Sequence, residues 1–190
     1  METLSDNLYD AIITEIDNGD NEMEKESFDS ALQFYQKALE KIPEPKHDWE
    51  ISLHVYTALG DVCFNLKDFG SASYYYNQAL QCPDGTVNGY VWLGLGQSYI
   101  EIDETDKAKN ALMNAYMLEG NEIFEGEGRQ YFRFIEDIVG TQEESDEDET
   151  DKDEIEIPKP QEPLTPEQLL RQERIKRGKM LGGHILLDLY

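Results

Sequence analysis

The sequence predicts an all-α fold: helix-turn-helix units stacked into a solenoid of about three repeats, closed by a capping helix and followed by an acidic linker and one more helix. Three observations predict it. A pattern of small and aromatic residues recurs along the chain, proline and glycine fall between the copies, and the composition turns abruptly at Gly140. A length of 190 residues suits one core with appendages.

The clearest copy runs Gly60-Asp61-Val62-Cys63-Phe64-Asn65-Leu66-Lys67-Asp68-Phe69-Gly70-Ser71-Ala72, then Tyr76, Ala79-Leu80 and Pro83. The pattern returns 36 residues later as Trp92, Leu95-Gly96, Tyr99, Ala108, Leu112 and Ala115. A weaker copy, 41 residues earlier, has Gly19, Phe28, Ala31, Tyr35, Ala38-Leu39 and Pro43. The spacing resembles the tetratricopeptide pattern, a unit of about 34 residues whose signature runs W-x2-L-G-x2-Y, then alanine, an aromatic, alanine and proline. Trp92-Leu93-Gly94-Leu95-Gly96-Gln97-Ser98-Tyr99 fits that signature almost whole. The first copy departs from it, with Glu15 where a large residue is expected.

Each small residue has a steric role in this reading. Gly60 with Ala72, and Gly96 with Ala108, let the two helices of a repeat approach closely, while Tyr35, Tyr76 and Leu112 fill the space between neighbouring repeats. The aromatic stripe is therefore core. The lengths in excess of 34 fall at Pro43-Glu44-Pro45-Lys46-His47-Asp48 and at Pro83-Asp84-Gly85-Thr86-Val87-Asn88-Gly89, where helix breakers make loops. An array also needs its last apolar face covered. The stretch from Ile123 to Val139 has apolar positions at 131, 134, 135 and 138, one face of a helix, and is expected to form that cap.

Residues 8–140 thus make the solenoid with its cap. Residues 141–163 carry 11 acidic and 2 basic groups and three prolines, too little apolar surface to repay folding entropy, and read as a disordered linker. Residues 164–190 form the last unit. Thr165-Pro166-Glu167-Gln168 offers an N-cap, a proline at N1 and a capping-box glutamine, opening a helix through Met180. Arg171, Arg174, Lys176, Arg177 and Lys179 on it are a second candidate interaction element, and an apolar tail follows Gly182-Gly183.

Charge narrows the function classes. With 41 acidic against 16 basic residues the net charge is −25, and residues 1–140 alone hold 27 acidic against 9 basic. Such a field repels phosphates and anionic lipid, so no nucleic acid and no membrane surface is expected as a partner. A basic protein or peptide is. METLSDNLYD has neither the basic nor the apolar region of a leader, and no run approaches the roughly 18 apolar residues of a span, so a cytoplasmic location is expected. Cys63 and Cys82 are too few for a disulfide framework and read as packing residues.

Catalytic chemistry finds little footing. His47, His54 and His184 stand far apart and outside any HExxH or CxxC setting, and Gly94-Leu95-Gly96 sits inside a helix signature with no strand before it. No cofactor, no metal and no enzyme activity is expected. The resemblance implies instead a concave groove lined by the first helix of each repeat. Carried onto this sequence, its usual ligand positions are Ile13, Ile16, Asp20, Met23 and Glu24, then His54, Thr57, Asp61, Phe64 and Asn65, then Tyr90, Leu93, Gln97, Ile100 and Glu101. None is lysine or arginine, so the clamp by which some members grip acidic chaperone tails is missing. The segment Ala115 to Phe124, followed by Tyr131-Phe132, also resembles the ending of small acidic bacterial members, some of which are immunity proteins against secreted toxins. Three roles follow: inhibitor of a basic toxin, peptide-holding adaptor, or accessory subunit.

Overall fold

In a computed structural model the protein is described from residue 4 to residue 140. The linker and the C-terminal helix expected at 141–163 and 164–190 lie outside the described residues. Within them there is helix and no strand. Six helices form three antiparallel pairs: α1 (Asp6–Glu24) with α2 (Phe28–Lys41), α3 (Glu50–Asn65) with α4 (Phe69–Ala79), and α5 (Gly89–Glu101) with α6 (Thr105–Glu119). Successive pairs join through α2 on α3 and α4 on α5. The result is a solenoid.

The expected glycine and aromatic positions make the pairing. A Cβ added to Gly19 would stand 2.7 Å from Tyr35 Cδ1, one on Gly60 would stand 2.7 Å from Tyr76 Cε1, and one on Gly96 would meet the Leu112 side chain 2.7 Å away at Cγ. Each second helix therefore presses a large side chain onto bare backbone of its partner. Tyr76 goes further: its ring also lies against Gly94 of the next repeat, so it locks two repeats at once.

The turn inside each repeat is the same device three times over. Glu26, Lys67 and Asp103, spaced like the repeats, hold φ of 57°, 60° and 60°. The next residue's amide then closes back on the helix: Ser27 on the Glu22 carbonyl at 2.8 Å, Asp68 on Cys63 at 2.9 Å and Glu104 on Tyr99 at 2.9 Å. This is the left-handed helix stop that usually takes glycine. Asp68 then accepts from the Ser71 amide and Asn88 from the Val91 amide, capping α4 and α5. The two longer connections contain short 3-10 turns at Lys46–Asp48 and Gly85–Val87.

Glu15, the odd residue of the first repeat, meets Lys41 Nζ of α2 at 3.0 Å. An ion pair here replaces the aromatic that Trp92 supplies in the third repeat. Cys63 and Cys82 are free and buried, and burial pushes both thiols up to about 12, with Asp68 adding to the shift at Cys63.

The cap differs from expectation. It is not one helix but two 3-10 turns, Gly120–Phe124 and Gly126–Gly128, a single helical turn α7 (Arg129–Phe132), and helical backbone again over 136–140. Gly126, at φ 66°, and Gly128 divide the segment. Its buried face is Tyr131, Ile135 and Val139, whereas Phe134 is half-buried and Ile138 is 40% exposed. Phe132 packs near Tyr116 of α6 and Phe124, so the cap does lie on the last repeat.

Candidate functional site

The first helices of the pairs carry the candidate groove, and the structure divides it. Between α1 and α3 lies an open hollow of about 440 Å³, walled by Asp17, Asp20 and Glu50, with Ile13, Ile16, Ile51, Tyr9 and His54 completing it. Four of these are expected groove residues, Ile13, Ile16, Asp20 and His54. Asp20 is fixed by the Tyr35 hydroxyl, which donates to Oδ1 at 2.6 Å. A second hollow, about 280 Å³, gathers Phe64, Asn65 and Glu101 with Phe69, Lys67 and Tyr131 at the other ends of α3 and α5. Tyr131 of the cap donates to Glu101 Oε1 at 3.0 Å. The groove is therefore acidic at one junction and mixed in charge at the other.

Burial and internal hydrogen bonds engage several of the expected residues. Ile16 and Leu93 are buried, 3% and 7% exposed. Ile16 floors the first hollow, and Leu93 lies under the cap near Gly128. Thr57 spends its hydroxyl on the Leu53 carbonyl and Asn65 its amide on the Asp61 carbonyl. Met23 and Ile100 pack half-buried against the core, Gln97 is half-buried, and Glu24 is exposed.

Asp61 sits at the middle of the groove and is largely covered. Its Oδ1 accepts the Tyr76 hydroxyl at 2.6 Å and the Tyr90 hydroxyl at 3.1 Å. Burial raises its carboxyl above the ordinary range, against the opposing pull of those two hydroxyls and of His54. The sequence reading missed Tyr9, Asp17, Glu50 and Ile51. Their signal was the helical stripe itself: Tyr9, Ile13 and Asp17 follow at intervals of four, as do Glu50 and His54.

Residues 10–84 match a family model described as tetratricopeptide repeat, and residues 90–122 match a second one of the same description. The chain belongs to the tetratricopeptide repeat family. Tetratricopeptide repeats generally mediate protein–protein interaction. No curated protein matches the chain. Among the described residues no helix is long and apolar enough to cross a membrane, and no cluster of three histidine, cysteine or acidic side chains could hold a metal ion.

Proposed function

We propose that this tetratricopeptide array is a non-catalytic module that captures a basic segment of a partner protein in the hollow between α1 and α3. One observation carries the reading: three carboxylates surround an apolar floor, and no lysine or arginine is among the lining residues. Lysine and arginine have the matching shape, an apolar stem under a charged head. The stem would lie on Ile13, Ile51 and Tyr9, and the head would meet Asp17, Asp20 and Glu50. An exposed ion pair contributes only about 0–1 kcal/mol, so binding energy comes from several pairs together with apolar burial. Steering by the −25 field sets the association rate.

The cytoplasm suits two free, buried thiols. A secreted toxin is one basic partner of the required kind, and the likeness of residues 115–124 and 131–132 to immunity proteins extends the reading to it; adaptor and accessory roles use the same hollow. The test is a titration of lysine- and arginine-rich peptides, selected on a peptide array, against the full chain and its D17N/D20N/E50Q variant. Affinity should fall at least about tenfold in the variant, and the association rate should drop between low and high salt. A peptide held equally well by both proteins overturns the proposal.

A further inference from the structure

We propose that in the free protein the acidic hollow is occupied by the chain's own basic segment, Arg171 to Lys179. The inference rests on the reading that the hollow takes basic chain, and it adds the occupant that a partner must displace. Charge is the first reason. Five of the 16 basic residues fall within these nine positions, whereas residues 1–140 spread nine over their whole length. Of those nine, Lys25, Lys41, Lys46 and Lys107 already meet carboxylates of their own neighbourhood. No other stretch of the chain offers comparable positive charge to Asp17, Asp20 and Glu50.

The hollow also has an apolar floor, and the segment brings apolar side chains with its cations: Ile175 within it, and Leu169 and Leu170 immediately before it. This second match separates the hollow from the nearer acidic run. Residues 143–151 carry the denser charge, yet contain no apolar side chain for leucine or isoleucine to meet. Reach is sufficient. Thirty residues stand between Gly140 and Arg171 and span up to about 100 Å when extended. Neighbouring helices pack about 8–10 Å apart, which puts α1 on the order of 30 Å from the cap. A tether of this kind supplies effective concentrations that reach the millimolar range, so weak individual contacts suffice for occupancy. A partner then binds only by outcompeting the tethered segment, which sets a threshold on how basic that partner must be.

Zero-length carbodiimide coupling of the full chain, at low micromolar concentration, low salt and with no partner present, tests this. It joins carboxylates to lysines in direct contact. Peptide mass spectrometry of the monomer band should find Lys176 or Lys179 coupled to Asp17, Asp20 or Glu50. The yield should fall about fivefold or more in 0.5 M salt, where screening acts within a few ångströms. It should fall comparably in the R171Q/R174Q/R177Q variant, which keeps both reporter lysines. Lysines coupled only within 143–151, only between chains of a dimer, or not at all overturn the proposal. Because no partner enters the experiment, such a failure leaves the peptide titration of the hollow to stand or fall separately.

Discussion

The lock formed by Tyr76 gives the sharpest test of the packing. Its ring leaves α4 and enters between α3 and α5, with Gly60 on one helix and Gly94 on the other. A Cβ at either glycine would stand 2.7 Å from Tyr76 Cε1. Ordinary contact begins near 3.4 Å, so the ring must retreat by about 0.7 Å from Gly60 and further from Gly94, whose added Cβ would come closest to Tyr76 Cζ. It has nowhere to go. Moving off α3 pushes it onto α5 and pulls its hydroxyl from Asp61 of α3, now bound at 2.6 Å, and the reverse movement presses it onto Gly60. Overpacking of this size costs about 1–3 kcal/mol, while alanine in place of a helical glycine returns about 0.5–1 kcal/mol. Gly60→Ala and Gly94→Ala should each lose on the order of 1–2 kcal/mol net, with Gly94→Ala the worse because its Cβ would also crowd the hydroxyl at 2.8 Å. Gly140→Ala, with open space around it, is the control. Urea unfolding followed by far-UV circular dichroism measures all three. If Gly60→Ala and Gly94→Ala both unfold within about 0.5 kcal/mol of the parent, the ring is not clamped and the repeat register is wrong.

Burial holds the Asp61 carboxyl above its ordinary range, and a raised acid contributes stability that is complete below its unfolded value, near pH 4, and lost as pH rises through its folded value. Asp61→Asn should therefore gain on the parent between pH 4 and pH 7, and urea midpoints showing a constant difference across that range would refute this. The left-handed turn residues strain their backbones unequally: Glu26→Gly and Lys67→Gly should stabilise by up to about 1 kcal/mol, and Asp103→Gly by less, since aspartate tolerates that conformation better. Thermal midpoints that fall in all three would show that the turns carry no such strain.

The array was legible in the sequence because its packing uses extremes of size. Gly19 beneath Tyr35 and Gly60 beneath Tyr76 are pairs that no other helical arrangement explains, and their spacing carries the register with them. The cap was legible only in part. Its apolar residues announced a covered face, and 131 and 135 do turn inward, but the helix is interrupted by a turn at 133–135, so that 139 takes the inward place expected of 138 and 134 is half-buried. The lining of the first hollow was also legible only in part. Family register begins one to two turns inside α1 and one turn inside α3, and it omits Tyr9, Glu50 and Ile51, which precede it on the same helices. A hollow between two helices belongs to neither one's periodicity. Asp17 shows this, for it enters the site only because Glu50 and His54 stand across from it.

Why the hollow opens at the first junction can be read from equivalent positions. Ile13, His54 and Tyr90 recur at the repeat spacing, as do Asp20, Asp61 and Gln97. At the junction of α3 and α5, Tyr90 reaches back and donates to Asp61 at 3.1 Å, covering that carboxylate. At the junction of α1 and α3 the tyrosine's place is taken by His54, a shorter ring, and it lines the open hollow with Asp20. One residue thus decides whether the acidic position is sealed or offered. His54→Tyr should transfer the seal: the phenol would fill the hollow and donate to Asp20, adding about 0.5–1.5 kcal/mol for one hydrogen bond. Binding of a lysine-rich peptide should fall at least about tenfold, the loss of roughly 1.4 kcal/mol or more, although no charge has been removed. Tyr90→His should do the reverse, uncovering Asp61 and strengthening salt-sensitive binding at the second junction. Calorimetric titration of both variants at low and high salt, beside their unfolding curves, separates these effects. If His54→Tyr keeps its fold and binds the peptide as the parent does, recognition is set by the overall charge of the chain and the hollow is not its site.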